Sequence, residues 1–278
     1  MLFGSFRDKV VLVTGASSGI GRATAIAFGA DGARVALVAR RAEVLDDVAT
    51  EIEEAGGEAC AVPADVTDAD AVRAAFDATV ARFGGVDIVV NNAGILLPSP
   101  VATMPPAELD AMLRVNVFGA LHVMQAAVPV LRARGGGSIV NVASLAGRRG
   151  ITPLGGYCAT KFALVGLTEA LRTELHSEPI HVALVLPGVI DTPMADRASE
   201  EGSIADIWPS ALNMPAAWVV WAVFAALRFR LVEISVPPGA ATLEKLAALA
   251  PGVADSVVAW GTSAVRWFTS LQRGGSPS

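Results

Sequence analysis

Short runs of apolar, largely β-branched residues alternate with longer stretches of helical periodicity over the first 190 residues. That alternation predicts repeated βαβ units and a parallel sheet. The predicted strands are residues 10–13, 34–38, 58–62, 86–90, 138–142, 181–186 and 231–236. Most are continuous apolar runs without polar alternation, the pattern of strands covered on both faces. Helices are predicted at 20–31, 42–55, 69–83, 107–134 and 157–177, punctuated by Gly56-Gly57, Gly84-Gly85 and Gly135-Gly136-Gly137. No internal repeat or low-complexity linker divides the pattern, so it reads as one doubly wound α/β domain with a parallel seven-stranded sheet. That domain is placed at residues 1–240, and a helical extension at 241–278 is expected to pack on it or on a partner subunit.

After Pro187 the pattern loosens. Residues 188–214 mix Gly, Pro, Ser and acidic residues with scattered Met, Ile and Trp, which fits either a flap over a site or an inert loop. The extension is broken at Pro251-Gly252 and ends in a polar stub. Within it Val257, Trp260, Ala264, Phe268 and Leu271 fall at spacings of three and four. This apolar stripe suits packing on the domain or a second subunit. Contact with a membrane surface is the weaker alternative, because Arg266 and Arg273 supply little basic charge. Trp218, Trp221 and Phe224 are read as core packing in preference to a ligand box.

Apolar residues make up 53% of the 278 and charged residues 17%, which excludes a disordered chain. A formal net charge of −6 without a basic stripe argues against nucleic acid as a partner. Two cysteines, Cys60 and Cys158, are too few for a disulfide scaffold, so a reducing, cytoplasmic setting is expected. The chain opens without the pattern of a secretory leader, and the apolar stretch 216–227 is shorter than the ~20 residues a membrane span needs. His122, His176 and His181 lack metal-ligand spacing, so no catalytic metal is predicted, and His122 is read as structural.

Candidate chemistry begins after the first predicted strand, at Thr14-Gly15-Ala16-Ser17-Ser18-Gly19-Ile20-Gly21. A glycine-rich turn between strand and helix lets backbone N–H groups and a helix N-terminus approach a pyrophosphate. The spacing Gly-x-x-x-Gly-x-Gly differs from the common dinucleotide fingerprint, and a purely structural turn is the alternative. The second strand runs into Arg40-Arg41 with no carboxylate before Glu43. Arginine forks suit a 2′-phosphate, which favours NADP(H); ordinary solvated surface charge is the competing reading. Tyr157 is the single tyrosine, and Lys161 lies four residues on, so a helix places both on one face. A nearby ammonium is expected to lower the tyrosine pKa and ready it for proton transfer, unless the two form only a surface pair. Ser144 follows the fifth strand, Asn91-Asn92-Ala93-Gly94 ends the fourth, and Asn116 interrupts an apolar helical pattern. Asn116 could equally be a satisfied core amide.

Together these residues resemble the short-chain dehydrogenase/reductase family, whose Rossmann-type fold carries NAD(P)-dependent oxidoreductases. The resemblance runs from Lys9 to Thr192, through the glycine turn, Asp65-Val66, Asn91 to Gly94, Asn116, Ser144, Tyr157-x-x-x-Lys161 and Pro187-Gly188-Val-Ile-Asp-Thr192. It implies that Tyr157 is the general acid/base and that Lys161 lowers its pKa and bonds the nicotinamide ribose. It further implies that Ser144 holds the substrate oxygen and that Asn116 positions a water relaying protons to the lysine. On the cofactor side it implies contacts from Gly15, Ser17, Ser18, Gly19, Ile20, Gly21 and Arg40. Asp65 and Val66 would meet the adenine, and Asn92, Ala93 and Gly94 would line the cleft. Pro187, Gly188, Ile190 and Thr192 would hold the carboxamide end. The chain departs from the family after its last strand, where Pro237-Pro238-Gly239 replaces the usual Asp-Gly-Gly segment. That puts the usual tetramer in doubt, leaving a homodimer or homotetramer.

The expected substrate wall is Leu96, Leu97, Leu145, Leu154, Met194, Ile207 and Trp208, which is mostly apolar and has no charged clamp. It predicts a lipophilic ketone, aldehyde or alcohol interconverted with NADP(H). Two other classes share these parts: a non-catalytic nucleotide sensor or scaffold, and an epimerase or lyase that regenerates its cofactor in each cycle.

Overall fold

Each of the seven predicted strand runs forms a strand, and all seven join one parallel sheet in the order β3-β2-β1-β4-β5-β6-β7. The computed structural model describes residues 6–200, 213–253 and 256. Its elements are β1 Val10–Thr14, α1 Gly19–Ala30, β2 Arg34–Ala39, α2 Ala42–Glu54, β3 Glu58–Pro63 and α3 Ala69–Phe83. There follow β4 Ile88–Asn91, α4 Pro106–Leu113, a π-helical turn Arg114–Gly119, α5 Ala120–Arg134 and β5 Gly137–Val142. The second half adds α6 Gly155–Glu174, β6 Ile180–Pro187, α7 Pro193–Glu200, α8 Ala216–Arg228, β7 Glu233–Val236 and α9 Ala240–Ala247.

Alternation within each strand sends side chains into two separate cores. Val10 and Leu12 of β1 join Phe76 of α3, Leu131 of α5 and Leu164 of α6 on one face. Val11 and Val13 join Phe28 of α1, Leu45 of α2 and Val223 of α8 on the other. Each such fully buried aliphatic or aromatic side chain contributes roughly 1.5–3 kcal/mol, so both faces are held by packing. Local signals set the helix ends. Asp68 caps α3 by accepting from the N–H groups of Asp70 and Ala71 at 2.8 and 3.1 Å. Gly84, in the left-handed region at φ 81°, ends the same helix.

Several boundaries differ from the sequence reading. β4 starts at Ile88 because the preceding Asp87 uses its carboxylate to hold Val10 N–H, at 2.9 Å, and Arg134. The predicted helix 107–134 is helical throughout but broken in phase by the π turn. α6 begins two residues before Tyr157, where a Cβ on Gly155 would come within 2.2 Å of Val101. Helix α7 lies in the predicted flap, and α8 in an apolar run with no readable period. α8 turns Val219, Ala222, Val223 and Ala226 inward, which leaves Trp218 and Trp221 50% and 41% exposed. The expectation that both tryptophans fill the core is therefore corrected. Phe224, partly buried, does pack, with its ring 5.0 Å from Phe6 and 4.6 Å from Phe28.

The stretch Pro106–Arg134 has the length and apolar character of a membrane span, which the sequence reading assigned to no segment. Here 44% of its most apolar window is buried inside the fold, where α4 meets α6 and α5 meets α3. At the far end of the sheet, Arg148 follows the 3₁₀ turn Leu145–Gly147 and bonds Glu169 of α6 at 2.8 Å and Glu233 of β7 at 2.6 Å. Lys245 of α9 reaches the same Glu233 at 2.8 Å. The tail stripe Val257, Trp260, Ala264, Phe268 and Leu271 lies outside the described residues.

Candidate active site

The strand order reverses between β1 and β4, and ligands of open parallel sheets bind at the carboxyl ends of strands flanking such a reversal. Both strand ends are pinned there. Thr14 Oγ1 accepts the N–H groups of Asn92 and Ala93 at 2.9 and 3.1 Å, and Asn92 Nδ2 donates to Thr14 O at 3.0 Å. A cleft of about 730 Å³ opens beside them. Its floor is the glycine turn, with Gly15, Ser17, Ser18, Gly19 and Ile20 among its lining residues. The turn depends on missing side chains: a Cβ on Gly21 would sit 2.2 Å from Gly15 O, and Gly15 itself has φ 67°. Helix α1 begins without a side-chain cap and without an acidic residue in its first turn. Its first N–H groups and positive dipole end are thus available to an anion. Backbone donors at a turn kept open by Gly15, Gly19 and Gly21 fit the pyrophosphate of a dinucleotide.

At one end of the cleft lie Arg40, Arg41, Asp65 and Val66. Arg40 is directed toward Asp65, with 3.9 Å between Nη1 and Oδ2. Arg41, absent from the predicted site residues, donates from Nη2 to Ser17 Oγ at 3.0 Å and so links the end of β2 to the turn. At the other end are Asn92, Ala93, Gly94, Thr192 and Met194. Pro187 ends β6 with Gly188 next to it, and a Cβ on Gly188 would lie 3.1 Å from Met214 Cε. The side chain of Ile190 is buried in the core, and its backbone bridges to Met214.

Asn116 and Lys161 both border Gly94, Tyr157 adjoins Lys161, and Ser144 adjoins Tyr157. Ser144 Oγ donates to Pro187 O at 3.2 Å and accepts from Ala146 N–H at 3.1 Å. Tyr157 and Lys161, one turn apart on α6, are both buried, with Lys161 Nζ 5.6 Å from the centroid of the tyrosine ring. Lys161 Nζ donates to Val142 O at 3.2 Å. Burial pushes the Tyr157 phenol up to about 12, against a hydrogen bond with Ser144 that acts to lower it. Burial likewise brings the Lys161 ammonium down to about 8. The expectation of a lowered tyrosine pKa is thus reversed in the protein alone, because desolvation of the phenolate outweighs its partners. At neutral pH the tyrosine keeps its proton and is a donor to an oxygen placed before it.

Leu96, Leu97 and Leu154 pack with Tyr157, Met112 and Cys158, which puts three of the seven predicted wall residues in the cluster around the tyrosine. Leu145 lies 3.4 Å from the Cβ position of Gly188, and Met194 lines the cleft. Ile207 and Trp208 lie outside the described residues. His122 holds the Val66 carbonyl through Nδ1 at 3.0 Å. No cluster of metal-ligating side chains occurs among the described residues.

Sequence reasoning named Thr14 only as the head of the glycine turn and passed over Asn141, Thr160 and Thr168. Asn141 Oδ1 accepts from Asn91 Nδ2 at 2.9 Å, and Asn141 Nδ2 donates to Thr168 Oγ1 at 3.0 Å. A polar link thereby crosses β4, β5 and α6 inside the core. The one available signal was a short polar residue within an apolar run.

Comparison with known proteins gives the same assignment. An uncharacterized oxidoreductase of Staphylococcus epidermidis is 36% identical over 217 residues, covering 76% of this chain and 93% of the relative. A 3-oxoacyl-(acyl-carrier-protein) reductase of Thermotoga maritima is 37% identical over 193 residues, covering 69% of this chain and 78% of its own. The crystal structure of a levodione reductase superposes with a TM-score of 0.78 at 32% identity, covering 85% of this chain and 99% of that one. Residues 9–202 match the short chain dehydrogenase family. With the glycine turn, the Tyr157–Lys161 pair and the seven-stranded sheet in place, the chain belongs to the short-chain dehydrogenase/reductase family of nicotinamide-dependent oxidoreductases.

Proposed function

We propose that the protein is an NADP(H)-dependent reductase that converts a carbonyl on a lipophilic small molecule to an alcohol, or the reverse. The observation that carries this reading is the buried tyrosine itself. Tyr157 faces the carboxyl edge of the sheet among apolar side chains, within reach of Ser144, with Lys161 over its ring. Bound in the cleft, the cofactor supplies the hydride. Ser144 orients the substrate oxygen and stabilises the charge developing on it, and Tyr157 gives that oxygen its proton. Lys161 stabilises the tyrosinate left behind, and Asn116 holds the Gly94–Ile95 backbone against the lysine. With its pKa pushed up to about 12, the phenol holds its proton at neutral pH and can give it to a substrate oxygen.

The NADP(H) preference rests on Arg40 and Arg41 at the adenosine end of the cleft, with Ser17 as a third donor. The apolar wall beside Tyr157 supports a lipophilic, uncharged substrate. The reading extends to a catalytic unit at residues 1–240 with the extension 241–278 packed on it or on a partner, and to a cytoplasmic homodimer or homotetramer.

The test is turnover of NADPH and of NADH by the purified protein against hydrophobic ketones and aldehydes. Consumption of NADPH well above NADH, with the preference narrowed by Arg41→Ala and turnover lost in Tyr157→Phe, is the expected result. Binding of both cofactors without consumption by any panel member would overturn the activity. Equal use of both cofactors would overturn the preference alone.

A further inference from the structure

Thr160 lies between the two catalytic positions of α6 and is fully buried. Its hydroxyl hydrogen goes to the carbonyl of Tyr157, with Oγ1 2.7 Å from that oxygen. A hydroxyl has one hydrogen, so Thr160 can meet any other polar group only as an acceptor. The group it meets is Asn116 Nδ2, at 3.0 Å. The same amide takes both backbone groups of Ile95: Oδ1 accepts its N–H at 2.8 Å, and Nδ2 donates to its carbonyl at 2.8 Å. Both hydrogens of Asn116 are therefore used, and a single lone pair on Oδ1 is left. That lone pair borders the space beside Gly94. A methyl group placed on Gly94 would lie 3.3 Å from Asn116 Oδ1 and 3.6 Å from Lys161 Nζ.

We infer that Thr160 is a positioning residue: its hydroxyl takes the second Nδ2 hydrogen of Asn116 and so holds that amide in place on the Ile95 backbone, beside Gly94 and Lys161. The inference rests on the proposed reductase activity for its consequence, though not for its geometry. Replacing the hydroxyl with a methyl group strands one Nδ2 hydrogen in a buried site, and the amide is then held only by its two bonds to Ile95. The Gly94–Ile95 backbone, which Asn116 pins beside Lys161, would then be less firmly held where the site needs it fixed. Thr160 touches no reacting atom and works entirely through Asn116.

The experiment compares Thr160→Val, which keeps the volume, with Thr160→Ser, which keeps the hydroxyl. The first readout needs no turnover: hydrogen exchange of the Asn116 side-chain amide by NMR in the ligand-free protein, assigned with Asn116→Asp. Slow exchange in wild type and Thr160→Ser, accelerated about tenfold or more in Thr160→Val, is expected for loss of one buried hydrogen bond. The second readout is steady-state. Thr160→Val should lower kcat about tenfold or more while leaving the NADPH dissociation constant near wild type, and Thr160→Ser should restore kcat. If Thr160→Val does not fold, Thr160→Cys, with its weakly accepting thiol, takes its place with the same expectations. Unchanged exchange in the valine protein, or equal loss of kcat in valine and serine proteins, would overturn the inference. A wild type without turnover on any substrate sinks the proposed activity, and the exchange measurement still decides where Thr160 holds Asn116.

Discussion

Replacing Asn141 with leucine is a direct test of the polar link across the sheet. Asn141 is fully buried on β5 and bonds Asn91 of β4 and Thr168 of α6. In Asn141→Leu, one hydrogen of Asn91 Nδ2 loses its acceptor, while the other still reaches Ala120 O at 3.0 Å. A stranded buried donor costs about 1–3 kcal/mol. Thr168 loses only an incoming donor, because its own hydrogen already goes to Leu164 O at 2.6 Å. Leucine fills a similar volume, so no large cavity adds to the cost. The sum is a destabilisation of about 2–3 kcal/mol, or roughly 4–12 °C in Tm for a domain of this size. Thermal unfolding followed by circular dichroism, with a denaturant midpoint as a second measure, reads it. Thr168→Val strands one Asn141 Nδ2 hydrogen in the same way, the other keeping Met124 Sδ at 3.4 Å, so it should cost a similar amount. A Tm within about 2 °C of wild type for Asn141→Leu, below the ~1 kcal/mol minimum for a stranded donor, would show that the link is not what holds β4 to β5.

Three further expectations concern the site. Tyr157→Phe should lower kcat by about 10²–10⁴, the usual worth of a positioned acid, with NADPH affinity by fluorescence titration nearly unchanged; retained turnover would remove the tyrosine from the chemistry. Lys161, brought down to about 8 by burial, binds its proton less readily in the folded chain than in the unfolded one. Stability should therefore rise with pH between about 8 and 10.5 as this penalty is relieved. Lys161→Met should gain on the order of 3 kcal/mol near neutral pH, seen as a higher Tm whose advantage shrinks toward pH ~10, while losing activity. A methionine protein no more stable than wild type at neutral pH would contradict the desolvation argument. Gly21→Ala drives a Cβ to 2.2 Å from a backbone oxygen of the glycine turn, so it should abolish cofactor binding in the same titration; wild-type affinity would mean that the turn is not the phosphate seat.

The sheet could be read from the sequence because most strands are continuous apolar runs rich in β-branched residues, and little else competes for such a run. Helix α8 could not, since Ala216–Arg228 is apolar on all sides and only the sheet beneath it distinguishes Val219 from Trp218. At the site, residues with unusual chemistry stood out: the single tyrosine, its lysine, the paired amides, the glycines. Thr14, Asn141 and Thr160 did not. Their partners lie up to 79 positions away, and a threonine within an apolar run carries no local mark of an occupied hydroxyl. Arg40 and Arg41 show a related limit. Both lie in the cleft, but which one meets Ser17 is set by side-chain direction at the end of β2, not by order in the chain. The raised tyrosine pKa was misjudged because spacing reveals a neighbouring charge and is blind to depth.

The π turn at Arg114–Gly119 has a consequence for how this chain can vary. A π turn holds one residue more than an α turn, so the helix before it and the helix after it are rotated relative to each other by about a hundred degrees. That slip lets α4 address α6 while α5 addresses α3, with Asn116 turned inward at the junction. Deleting a single residue here would heal the helix into regular α form and swing the asparagine out of reach of Thr160 and Ile95 together. Substitutions are tolerated or not according to their chemistry, but length in this segment is counted in whole residues, and the count cannot drift by one.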